Sequence, residues 1–243
     1  MSRPALAVAA PPRVHEQLRL GVEGPVRVLH RGAHAIYVEV GEHCVGVVSA
    51  TAVAVPCAMR LATPDLAGLR GDAAHVYDGV LHLDGVALRI GRLLDVRVPS
   101  LVEQSSVVEQ SSVVEQSSVV EQLSVVELVE TIGAGPGLTP EADDVLCGWL
   151  AWHRAAGVVT PHLDAAVLAS RHRTTVLSAT LLECAVLGEV VPQFAAYVTA
   201  IGSSHESARA RDLSRIGATS GAALLRGARL ARAHLVSDRR HAA

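Results

Sequence analysis

A glycine-rich turn that leads into two adjacent carboxylates has the residue types and spacing best suited to chemistry in this sequence. Gly133, Gly135 and Gly137 fall within five residues, and glycine permits positive φ and leaves backbone N–H groups unshielded. Thr139 is suited to cap a helix and Pro140 to occupy its first position, so the sequence predicts a helix start here. Such a start favours an anion, because its free N–H groups carry partial positive charge.

Asp143 and Asp144 allow two interpretations. Carboxylates in a first turn stabilise a helix through its dipole, and both residues can serve only that purpose. The segment that follows is apolar on nearly every face, however, from Val145 through Trp152, which predicts a buried helix. A buried carboxylate needs a cation, a metal or hydrogen-bond donors, or else it takes up a proton. This second interpretation makes the pair a candidate site.

A second loop of the same kind spans residues 216–221 and precedes another helical segment. It contains Gly217, Thr219, Ser220 and Gly221. The two loops can face one pocket, or each can serve helix capping and tight packing alone.

At these residues the chain resembles a bacterial family of unknown function that includes a subunit assigned to oxamate carbamoyltransferase in anaerobic allantoin breakdown. The first family motif reads G-x-G-P-G-L-T-P-S-G-D-D-F-L-x-G and the second I-G-H-T-S-G-x-D-x-L-x-G. The first is matched by Gly133, Gly135 to Pro140, Asp143, Asp144, Leu146 and Gly148, and the second by Ile216, Gly217, Thr219, Ser220, Gly221, Leu225 and Gly227. Between them, residues 174–178 and 188–189 resemble the middle helices of the family.

Several positions depart from the family motifs. Glu141 and Ala142 replace Ser-Gly in the first, while Ala218 and Ala223 replace a His and an Asp in the second. Alanine neither transfers protons nor binds metals. The last two departures therefore bear directly on whether this chain is catalytic.

The resemblance implies an oxamate carbamoyltransferase-like subunit that binds a small anion, such as carbamoyl phosphate or a carboxylate, and works with partner subunits. The expected anion-binding residues are Gly135, Gly137, Leu138, Thr139, Thr219, Ser220 and Gly221. Asp143 and Asp144 are the expected catalytic residues, which would bind a divalent cation such as Mg²⁺ or Mn²⁺ or orient the substrate. Two alternatives remain: a non-catalytic accessory or ligand-binding protein of the same fold, and loops that only support packing.

Composition limits the other classes of function. The 243 residues carry a net charge of −3 and few aromatic rings, which argues against a nucleic-acid surface. No run of 18 apolar residues and no signal segment is found, so we expect a cytoplasmic protein without a membrane span. Its four cysteines lack metal-ligand spacing and are expected to be buried thiols. The histidines also lack such spacing, and His153 is expected at the surface or in a helix cap.

A low-complexity repeat occupies residues 101–132. The unit Val-Val-Glu-Gln-Ser-Ser recurs from Val107 and again from Val113. Because six residues do not match the period of a helix, the Val-Val pairs of successive copies would point in different directions around it. Such a helix would bury no fixed face. We interpret this segment as an inserted linker without chemistry.

The repeat separates two regions of different character. Residues 1–100 contain short β-branched runs with hairpin turns at residues 41–43 and 84–85, which predict an antiparallel sandwich or small barrel. Residues 133–243 read as consecutive capped helices and carry both glycine loops. Strands followed by helices predict an α+β fold.

Overall fold

A computed structural model of the chain describes residues 5–21, 23–101 and 125–241. Most of the predicted repeat linker lies outside these residues. The chain divides into two compact units, Met1–Val96 and Arg97–Ala243. The first consists mainly of strands and the second of helices, so the α+β class is confirmed.

The first unit is a nine-stranded sheet with one helix among its described residues. The strands are β1 (Ala5–Ala10), β2 (Gly24–Pro25), β3 (Arg27–Arg31), β4 (Ala35–Val40), β5 (His43–Val48), β6 (Ala58–Arg60), β7 (Ala74–Tyr77), β8 (Val80–Leu83) and β9 (Val86–Leu93). Helix α1 (Pro12–Leu20) follows β1, and its Val14 and Leu18 are buried. Sequence analysis did not predict this helix.

The sheet is a nearly closed barrel. Its strand order is β2-β7-β8-β9-β1-β6-β5-β4-β3, so β2 and β3 form the two ends. Only Val26 separates these two strands in the sequence, which keeps the ends of the sheet close together. The small barrel was one of the two predicted forms. The sheet also contains two parallel pairings, β1 with β9 and β5 with β6, among otherwise antiparallel pairs.

Alternating burial and left-handed turns explain the two predicted hairpins. In β4, Ile36, Val38 and Val40 point into the core while their neighbours are half-buried. Gly41 then turns with a φ of +63° into β5. The second hairpin turns at Asp84 and Gly85, both with positive φ.

The second unit contains seven described helices and a 3₁₀ turn. They are α2 (Val125–Glu130), α3 (Glu141–Ala155), α4 (Pro161–Ser170), the 3₁₀ turn (Arg171–Arg173), α5 (Val176–Val186), α6 (Pro192–Thr199), α7 (Glu206–Ser214) and α8 (Ser220–His241). Helix α5 ends at Val186, because Gly188 with a φ of +74° reverses the chain.

Helix α3 is central to this unit, as its apolar faces predicted. It packs most extensively against α8 and next against α5. Trp149 and Trp152 are buried on it, and so is His153, which is 1% exposed and stacks on the Trp149 ring with the centroids 3.6 Å apart. Of the two positions expected for His153, the surface or a helix cap, the surface was therefore wrong, because the Trp149 ring one turn earlier covers one face of the imidazole.

Candidate functional site

The glycine loop before α3 is held in a left-handed backbone path. Gly133, Gly135 and Gly137 have φ values of +83°, +125° and +96°. A Cβ at Gly133 would lie 2.2 Å from the carbonyl oxygen of Arg173, so this glycine also lets two backbone segments approach closely. The loop needs glycine for both reasons.

Asp143 links this loop to the start of α5 through hydrogen bonds. Its side chain is fully buried, and its Oδ1 atom accepts the Gly133 N–H at 2.8 Å. Its Oδ2 atom accepts the hydroxyl groups of Thr174 and Ser178, at 2.5 and 2.6 Å. Both carboxylate oxygens are therefore engaged within the protein. This arrangement suits a residue that positions the loop.

The rest of the loop presents unpaired donors at the surface. Gly135, Gly137 and Leu138 are exposed. Their N–H groups have no acceptor within the described ranges. The Leu138 carbonyl, by contrast, accepts the hydroxyl of Thr175, the residue that caps α5. The loop is thus anchored through its carbonyl and through Asp143, while three amide protons stay available to an anion.

The two sequence motifs meet at Thr139 and Ser220. Their hydroxyl oxygens lie 3.0 Å apart, and both side chains are half-buried. Thr219 is exposed beside them. Gly221 is buried, and its N–H donates to the Ile216 carbonyl at 3.0 Å, so that amide is already engaged. The second motif thus contributes the Ser220 hydroxyl to the contact between the two motifs.

Asp144 lies at the junction of the two motifs and is 5% exposed. Its pKa is raised to about 6, mainly because burial disfavours the charged form. The charges of Asp143 and Glu141 also raise the pKa, whereas hydrogen bonding by Ser220 and Thr139 lowers it. Its Oδ2 atom is shielded from water and has no hydrogen-bond partner in the part of the chain that the structure describes. Asp144 therefore differs from Asp143 in having an acceptor left unused.

Helices α3 and α8 contact each other reciprocally through two glycines. A Cβ at Gly148 would lie 2.1 Å from the Leu224 carbonyl oxygen, and one at Gly227 would lie 1.9 Å from that of Val145. Leu224 and Val145 each precede the glycine of their own helix by three residues. This reciprocity indicates a local two-fold relationship between the two helix starts.

Under this relationship Ala223 occupies the position in α8 that Asp144 occupies in α3, each four residues before its glycine. Ala223 is 2% exposed, so it lies inside the packed interface. Ala218, the other family departure, is exposed. One carboxylate thus stands where the family motifs place two.

The predicted divalent cation gains no further ligands from the structure. Both oxygens of Asp143 accept hydrogen bonds from protein groups. Among the described residues, no group of three His, Cys, Asp or Glu side chains is arranged to hold a metal ion. Metal binding by Asp143 and Asp144 stays a prediction from the sequence.

The sequence did not single out the residues that support this site. Thr174, Thr175 and Ser178 hold Asp143 and the loop, although their only signal was a likeness to the middle helices of the family. Glu183 of α5 forms an ion pair with Arg171 at 2.7 Å. Glu141 pairs with Arg226 of the second motif at 3.3 Å, between two exposed side chains.

Two further findings concern cysteines and membranes. All four cysteines are buried and none is in a disulfide, as expected. Within the described segments, no helix combines the length and the apolar character needed to cross a bilayer.

Comparison with known proteins gives a match to a family model in the helical part of the chain. No curated protein and no solved structure matches the sequence. The family match covers both glycine loops, helices α3 to α7 and the part of α8 that meets α3. The resemblance noted in the sequence is confirmed there: residues 131–232 match the family model of the oxamate carbamoyltransferase subunit AllH.

Proposed function

We propose that this chain is an oxamate carbamoyltransferase-type subunit that binds a small anionic substrate, a carboxylate or carbamoyl phosphate, at the start of α3. The observation that carries the proposal is the set of exposed, acceptor-free N–H groups of Gly135, Gly137 and Leu138 in an anchored loop. The family match over residues 131–232 supports this class of reaction.

The geometry supports distinct roles for the candidate residues. The three amides bind the anion, since they belong to exposed residues just before the positive end of a helix. The hydroxyls of Thr139 and Ser220 extend the donor set from both motifs. In our proposal Asp144 contacts the substrate as the catalytic residue, whereas Asp143 positions the loop and contacts no substrate. Thr219 lies at the exposed edge of the proposed site. Gly221 allows close backbone packing at the start of α8, and its N–H is already engaged by the Ile216 carbonyl.

A ligand titration with a matched pair of glycine variants tests the anion site. Gly137→Ala places a Cβ at positive φ and misdirects the loop amides, so phosphate, oxamate and carbamoyl phosphate should no longer raise the melting temperature. Gly202→Ala is the control, because Gly202 also has positive φ and open space around a Cβ but lies between α6 and α7. Both variants carry the same kind of backbone strain. A wild-type chain whose melting temperature no ligand raises would refute the anion site.

The name of the matched family describes a subunit, which extends the proposal to partner chains. We propose that carbamoyl transfer requires those partners. Activity should then be measured with candidate partner subunits present, and co-purification tests the association directly. Full carbamoyltransferase activity of the isolated chain would contradict the requirement.

A non-catalytic accessory protein of the same fold is the second candidate function. Ala223 favours it, because the two-fold relationship between α3 and α8 leaves Asp144 without a matching carboxylate. If catalysis was lost with the family residues, Ala218→His with Ala223→Asp should change the affinity for ligand or divalent metal. Unchanged calorimetric binding in a folded double variant would remove the support for this candidate.

A further inference from the structure

The Asp144 carboxylate is a second feature of the site that points to a ligand, separate from the loop amides. Asp144 is 5% exposed and its Oδ2 atom has no donor in the described chain. Leaving such an acceptor buried and unpaired is costly. The hydroxyls of Thr139, the last loop residue before Pro140, and of Ser220 lie close enough to this carboxylate to lower its pKa. The unused acceptor therefore belongs to the meeting point of the two motifs.

The charges around Asp144 disfavour an anionic atom as the missing partner. Asp143 and Glu141 on the same helix are acidic and Cys147 is a buried thiol, while α8 contributes the Ser220 hydroxyl. Arg226 of α8 pairs with Glu141. An anionic ligand atom beside Oδ2 would add repulsion to that of the neighbouring carboxylates. An amide N–H beside it forms a charge-assisted hydrogen bond instead.

We propose that Asp144 is the specificity-determining residue of this site: its Oδ2 atom accepts an N–H from a carbamoyl or primary-amide group of the ligand, whose anionic group binds the loop amides of Gly135, Gly137 and Leu138. This inference rests on the anion site proposed above. It adds an orientation for the ligand, with its negative end toward the loop and its NH₂ end toward α8. Entry of the NH₂ group separates the Thr139 and Ser220 hydroxyls.

Two pairs of isosteric ligands test this orientation. Oxamate and pyruvate differ in an NH₂ against a CH₃ group, and so do carbamoyl phosphate and acetyl phosphate. Calorimetric titration of the full chain at pH 8 should give tighter binding of each NH₂ ligand by about tenfold or more, because the methyl analogue leaves Oδ2 unpaired. Asp144→Ala should abolish the preference. Glu141→Gln changes another first-turn carboxylate of α3, which is exposed, and should leave the preference intact.

The possible results separate the two proposals. Equal affinities within each pair, or a preference that persists in Asp144→Ala, would overturn the role of Asp144 while leaving the anion site standing. Failure of all four ligands and of inorganic phosphate to bind would refute the anion site and this inference together. If Asp144→Ala does not fold, the wild-type chain alone provides the test, because equal affinities within each ligand pair already contradict the proposal.

Discussion

The hydroxyl oxygens of Thr139 and Ser220 lie 3.0 Å apart although 81 positions separate these residues in the sequence. Thr139 ends the glycine loop before α3, and Ser220 begins α8. Their contact joins the two family motifs and places both hydroxyls at the buried carboxylate of Asp144. Four expected outcomes concern Ser220, Asp144, Asp143 and the contact between α3 and α8.

Ser220→Ala should raise the pKa of Asp144 above its value of about 6, because the Ser220 hydroxyl stabilises the charged form. Loss of the bond should also lower the free energy of unfolding at pH 8 by about 1 kcal/mol. Carboxyl ¹³C NMR measures the pKa, and urea denaturation measures the free energy of unfolding. Ser214→Ala is the control, since its hydroxyl donates only to the Arg211 carbonyl at the end of α7. An unchanged Asp144 pKa in Ser220→Ala would show that the hydrogen bond is unimportant.

Asp144 should make the folded state less stable as the pH rises. Since burial raises its pKa from 3.8 to about 6, the native state binds more protons than the unfolded state between these values. The stabilising contribution is therefore complete below about pH 4 and is lost as the pH passes through about 6, at a cost of about 2–3 kcal/mol.

Asp144→Asn removes this titration. The variant should be more stable than wild type at pH 8, and the difference should shrink toward pH 4.5. Denaturant midpoints at the two pH values measure it. A stability difference that is the same at both values would mean that Asp144 does not titrate in this range.

Asp143→Ala should destabilise the helical unit by about 3 kcal/mol or more. The substitution leaves the Gly133 amide and the hydroxyls of Thr174 and Ser178 without their shared acceptor in a fully buried position. Urea denaturation gives the loss. Ser178→Ala removes one of the three bonds and should cost less; a loss as large as that of Asp143→Ala would contradict the shared role of the carboxylate.

Gly227→Ala should separate α3 from α8, because its Cβ would lie 1.9 Å from the carbonyl oxygen of Val145. Backbone cannot move aside as a flexible side chain does, so we expect a loss of about 3 kcal/mol or more in the free energy of unfolding. Arg226→Ala, at the preceding position, breaks an exposed ion pair and should cost at most about 1 kcal/mol. Similar thermal stability of both variants would refute the close helix contact.

The sequence by itself determined the local features of this protein. The positions of the glycine loop and of the two hairpins follow from φ preferences, which depend on neighbouring residues. The predicted cap of α3 was wrong, because Pro140 is its N-cap and the Thr139 hydroxyl pairs with Ser220 instead. The apolar faces of α3 predicted its burial. The departures Ala218 and Ala223 were also visible from the motifs alone.

Only the tertiary structure decided what the individual side chains do. Asp143 and Asp144 are adjacent and chemically identical, but successive helical residues point about 100° apart. Asp143 therefore meets the hydroxyls at the start of α5, whereas Asp144 meets Ser220 at the start of α8. Likewise, Gly148 and Gly227 are separate small residues in the sequence, and the packing of α3 on α8 makes them reciprocal contacts. Such distinctions depend on which helices lie against each face of α3. The spacing of residues in the sequence does not contain that information.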